Sequence, residues 1–133
     1  MRLIRRLGNQ RGTSTLEFVV VLPTLLLIFL AALELSRAWL TVNIMTNATR
    51  EGARWGAVTE TFDSVGAEAR MTEILVAANL TAASKSVTCP ATCPRDSQVT
   101  ASVSINFEPI AGGILYMLDN PMPLTETVTM RRE

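Results

Sequence analysis

The chain has 133 residues, the length of one small domain, and its twelve Lys and Arg are balanced by twelve Asp and Glu. It contains no histidine, which excludes imidazole acid–base catalysis, His-activated nucleophiles and imidazole metal sites. Only 5% of residues are aromatic, which argues against a base-stacking surface and, with the balanced charge, against a nucleic-acid partner.

The charge is unevenly spread. Arg2, Arg5, Arg6 and Arg11 give residues 1–12 a charge of +4, and the remainder carries −4. Residues 18–33 then read FVVVLPTLLLIFLAAL, sixteen positions without a charge. A span needs roughly 17–25 apolar residues, so the predicted membrane segment is about 17–40, with Glu34 and Arg37 near one end. LLLIFLAAL has no polar face, which sets it apart from the core helix of a soluble protein. Four arginines before the span predict a cytoplasmic N-terminus and an exported C-terminal part. A cleaved signal peptide is the alternative. Its small-residue site would have to fall near Leu30-Ala31-Ala32, whereas helical sequence continues through Glu34 without a break.

From Ser14 to about Val58 the only helix breaker is Pro23, which a membrane helix tolerates as a kink. Such a helix is roughly 65 Å long, and only its first half would lie in lipid. Along the second half, Asn43, Asn47, Arg50, Glu51 and Arg54 share one polar face. Ala48, Gly52 and Gly56 repeat every four residues on another side. Glycine inside a helix costs about 1 kcal/mol relative to alanine, and close packing is the natural offset. The surface packed there is either the domain itself, which is the simpler expectation, or a partner helix.

Residues 59–64 read as a turn. Asp63 or Ser64 then caps a predicted helix over about 65–79, with Val65, Ala69, Ile74, Leu75 and Ala78 as its apolar stripe. Ser86–Thr88 is a candidate short strand. Cys89 and Cys93 follow in CPATC. An even pair in a short exported domain suggests a disulfide, and two thiolates without histidine cannot complete a zinc site. Val99, Ala101, Val103, Ile105 and Phe107 alternate strictly with polar residues, the pattern of a half-buried strand. Residues 109–123 hold three prolines and Gly112-Gly113 and read as a long loop, with its ILYML stretch expected to tuck against the core. A last strand is expected over about Leu124–Met130. The fold class is therefore α+β: a long N-terminal helix and a small head with a short helix and an antiparallel sheet.

One local pattern carries chemistry. Glu17 stands at the mouth of the apolar run, followed by Phe18, and Gly12 lies five positions earlier behind Arg11. A carboxylate in hydrocarbon costs about 2.5–3.5 kcal/mol on insertion scales and usually has a function. Ser14-x-x-Glu17 also fits a capping box, which would explain the residue by helix chemistry alone. Asn47-Ala48-Thr49 matches a glycosylation sequon, but it falls inside the predicted helix.

The stretch from Arg11 to Phe18 resembles the processing site of type IV pilins and pseudopilins. The further resemblance is to TadE-like pseudopilins of tight-adherence (Flp) pilus systems. It rests on Arg11 to Phe18, Pro23, Glu34-Leu35-Ser36-Arg37, and Asn47-Ala48-Thr49-Arg50-Glu51-Gly52-Ala53-Arg54. Thr49 stands where many relatives have alanine, and the Thr129-Met130-Arg131 ending is a weaker match. The resemblance implies a prepilin peptidase that cuts between Gly12 and Thr13, a leader of residues 1–12, and a retained helix over 13–58. The exported head would comprise 59–133. It implies a minor pseudopilin of the bacterial inner membrane, acting in pilus initiation or at the tip, and not an enzyme. The implied partners are other pseudopilins, the major pilin, the peptidase, an inner-membrane platform and membrane lipid, with no cofactor. The rival readings are an uncleaved single-span protein whose outer domain binds a partner and, with no histidine or clustered acids to support it, a small exported enzyme.

Overall fold

The computed structural model describes residues 10–90, 93–110 and 121–132, with side chains described from Thr15 onward. The leader residues Arg2, Arg5 and Arg6, the side chain of Arg11 and the ILYML stretch lie outside the described residues. Helix α1 spans Gln10–Val58 as one element of 49 residues with Pro23 inside it. At 1.5 Å per residue it is roughly 73 Å long. Helix α2 is Ser64–Ala77, and strands β1, β2 and β3 are Ser84–Thr88, Gln98–Phe107 and Met122–Arg131. The strands form one antiparallel sheet in the order β1-β2-β3. The fold is α+β, as the sequence pattern predicts.

The two halves of α1 differ in what they bury. Residues 15–40 are exposed or at most half-buried, and the apolar window is long enough to cross a membrane. From Thr41 onward the helix buries Thr41, Met45, Ala48, Thr49, Ala53 and Ala57 at helical spacing. Asn43, Asn47, Arg50 and Arg54 stay exposed on the other side. The two buried threonines are satisfied within the helix. Thr41 Oγ1 donates to the Arg37 carbonyl at 3.0 Å and Thr49 Oγ1 to the Met45 carbonyl at 2.9 Å. Val99, Ala101, Val103, Ile105 and Phe107 of β2 face this helix, and the intervening Ser and Thr residues form the sheet's outer surface.

Asp63 caps α2, its carboxylate accepting from the Gly66 amide at 2.9 Å. The far end closes with Asn79 at φ 58°. Leu80 donates to Leu75 at 2.8 Å and Asn79 to Val76 at 2.9 Å, a Schellman arrangement with asparagine in the left-handed position. The buried stripe of α2 is Ala67, Met71 and Leu75. This corrects the expected stripe: Val65 is 77% exposed, Ala69 is exposed, and Met71 is the core residue. The reason lies in α1, whose glycines admit a bulky side chain at one rotation of α2.

Gly52 is where that contact falls. A Cβ built there would stand 2.5 Å from Met71 Cγ, and Met71 is fully buried. A Cβ at Gly56 would stand 3.0 Å from Val99 Cγ1 and 3.3 Å from Phe62. Gly52→Ala is therefore expected to destabilise the head by about 1–2 kcal/mol, overpacking outweighing the gain in helix propensity. Gly56→Ala is expected to change stability by less than about 1 kcal/mol, because the contact is looser and the propensity gain offsets it. Thermal melts of both full-length variants in detergent check the order. A Gly52→Ala protein as stable as the parent would show that Met71 has room to move.

Candidate processing and assembly site

The Gly12–Thr13 peptide lies within α1, whose first residue is Gln10. The helix is thus under way before Ser14, so Ser14 is not its N-cap in the full-length chain. A capping box at Ser14 and Glu17 does not account for Glu17 in this structure. The segment Gly12-Thr13-Ser14-Thr15 consists of residues that favour helix weakly, with glycine about 1 kcal/mol worse than alanine. It lies in the first two turns, where the leading amides lack intrahelical partners. The bond after Gly12 accordingly lies in the weakly helical first turns of α1.

Glu17 and Phe18 sit on the open surface of the helix, Phe18 at 61% exposed, with none of the described residues of the head against them. No hydrogen bond or ion pair joins the Glu17 carboxylate to another group among the described residues. The next charge along the chain is Glu34, whose carboxylate meets Arg37 at 3.0 Å. From Glu17 to Arg37 the helix rises about 30 Å, close to the thickness of a bilayer's hydrocarbon core. Arg37 also lies 5.3 Å above the ring of Phe107, so the far end of this apolar interval lies against the head.

At the opposite pole, Cys89 and Cys93 are bonded at 2.03 Å. Their loop lines an open cavity with Thr59, Glu60, Arg95 and Arg132. Arg132 is 8% exposed and clamps the cavity wall. Its guanidinium donates to the Thr59 carbonyl at 2.9 Å, to the Glu60 carbonyl at 2.6 Å and to the Cys93 carbonyl. The Thr59 and Glu60 carbonyls lie just past the end of α1, where a cation is also favoured by the helix dipole. Sequence reasoning missed Arg132, since a terminal arginine next to an exposed one gives no local sign of burial. The neighbouring Arg131 pairs with Asp96 at 3.1 Å, and both side chains are largely exposed.

Ala48, Gly52 and Gly56 lie against α2 and the sheet of the same chain, which leaves no open groove along that stripe. Among the described residues no cluster of His, Cys, Asp or Glu could hold a metal ion.

These features define a small α+β head carried on a helix whose first half is apolar and unburied, with a glycine–glutamate pair at its start. The family model described as TadE-like protein matches residues 12–54, beginning at Gly12 and ending at Arg54. A TadE-like match points to a tight-adherence pilus-associated protein. No curated protein and no solved structure matches the chain.

Proposed function

We propose that the protein is a minor pseudopilin of a tight-adherence pilus, cut after Gly12 by a prepilin peptidase and retained by its apolar helix. The observation that carries this reading is the register of Gly12 and Glu17 on one continuous helix. The bond after glycine falls at its weak first turns, and the carboxylate falls at the start of an unburied apolar interval. The family match begins at that same glycine. On this reading the basic leader holds the N-terminus in the cytoplasm and the head is exported. The chain acts by assembling with other pseudopilins and the major pilin on the inner-membrane platform. It is the substrate of an enzyme and a structural component.

The test is intact-mass analysis of the protein from native membranes of a peptidase-positive cell. The expected N-terminus is Thr13, twelve residues short of the full chain, and deletion of the peptidase should restore the full mass. Recovery of the uncut chain alone from peptidase-positive cells would leave the single-span reading in its place.

A further inference from the structure

The head does not stand clear of the apolar half of α1. Phe107, Pro109 and Met122 line a cavity with Ala31, Leu35 and Ala38 of the helix. Ile110 lines a second with Leu30, Leu33 and Leu40. One end of the sheet thus reaches back to the level of residues 30–40. That level holds the last turns of the uncharged run and the Glu34–Arg37 pair.

Several large apolar side chains are left open there. Ile110 is 79% exposed, Leu35 72%, Trp39 70% and Leu40 60%. Ile110 and Leu40 border one cavity with Leu30 and Leu33, while Leu35 and Trp39 lie further round the helix. Exposed apolar clusters mark interaction sites, and tryptophan is enriched where hydrocarbon meets headgroups. Measured from Glu17, about 30 Å of helix ends at Arg37, so this patch lies at the edge of the hydrocarbon layer.

We infer that Ile110, just past the end of β2, forms with Leu33 and Leu40 a second membrane contact that rests in the lipid interface on the head's side of the bilayer. The inference rests on the reading of α1 as a membrane span. The patch is continuous with the unburied face of that span and flanked by an ion pair suited to headgroup level, which favours lipid over a second protein chain. A single helix leaves a head free to tilt and rotate. A contact beside the helix fixes both, and so sets which face of the head is presented to a neighbouring subunit.

The full-length protein, reconstituted in vesicles of phosphatidylethanolamine and phosphatidylglycerol, provides the test. Ile110→Cys is labelled with an environment-sensitive fluorophore while Cys89 and Cys93 remain bonded. Leu25→Cys reports the span, and Val65→Cys, on α2 at the far pole, reports solvent. Lipids spin-labelled near the headgroup should quench position 110 at least about twofold and blue-shift its emission, while position 65 stays water-like. A water-like, unquenched position 110 beside a quenched position 25 overturns the interface contact and leaves the span standing. Water-like emission at both 25 and 110 overturns the span and the contact together. A blue shift at 110 that lipid does not quench and that grows with protein density assigns the patch to a second protein chain, which also overturns it.

Discussion

Arg132→Met is expected to destabilise the head by about 3 kcal/mol, while Arg131→Ala changes stability by less than about 0.5 kcal/mol. Arg132 is 8% exposed and spends its guanidinium on the carbonyls of Thr59, Glu60 and Cys93. Its backbone adds two more ties, donating to Ser97 at 2.8 Å and accepting from Asp96 at 2.9 Å. One side chain therefore joins the end of β3, the disulfide loop and the turn after α1. Methionine keeps the apolar stem and removes every donor. Hydrogen bonds to a charged group are worth about 1.5–3 kcal/mol each, but the adjoining cavity lets water reach some of the abandoned carbonyls, which lowers the sum. Against a typical domain stability of about 5–15 kcal/mol the loss is large. Lysine should recover only part of it, because a compact ammonium cannot span three carbonyls as the planar fork does. Urea unfolding of the protein in detergent, followed by tryptophan fluorescence with Trp39 replaced by Phe so that Trp55 at the α1–α2 contact reports, measures it. Equal midpoints for parent and Arg132→Met would show that the carbonyls rehydrate without loss.

Glu17→Gln is expected to be processed and inserted normally yet to fail in co-assembly with other pilus subunits. On the proposed reading, cleavage after Gly12 would create an ammonium at Thr13, four residues from the carboxylate of Glu17. In a membrane or an apolar helix bundle an unpaired charge costs several kcal/mol, and pairing the two relieves both. The same attraction, made to a neighbour's Thr13, would set the axial register between subunits in the proposed assembly. A smooth apolar stripe such as residues 18–33 gives no such register. Glutamine preserves the size and the capping capacity of glutamate and removes only its charge. Because α1 already runs from Gln10 in the intact chain, capping at Ser14 is not what holds Glu17 in place there. Co-purification with partner subunits, alongside the intact mass, separates the roles. A Glu17→Gln protein of mature mass that co-assembles like the parent would remove the ion pair from the mechanism and leave the cleavage site untouched.

Patterns that repeat within a segment determined much of this molecule. The uncharged run over 18–33 defines an apolar helix by composition, and the period-two alternation from Val99 to Phe107 defines a strand with one buried face. Gly12 and Glu17 are legible because their spacing is local. The polar face from Asn43 to Arg54 is legible because a helix repeats every 3.6 residues.

Tertiary structure decided the rest. Met71 rather than Val65 faces the core of α2, because the gap at Gly52 admits a long flexible side chain and fixes the rotation of the helix. Arg132 reads as a surface charge beside Arg131 until the chain brings it to carbonyls 39, 72 and 73 residues away. The cavity that Ile110 lines with Leu30 and Leu33 likewise depends on the antiparallel register that turns one end of the sheet back toward the apolar half of the helix. Contacts between segments so far apart leave no period in the sequence. They follow from how the helices and the sheet fill space against one another.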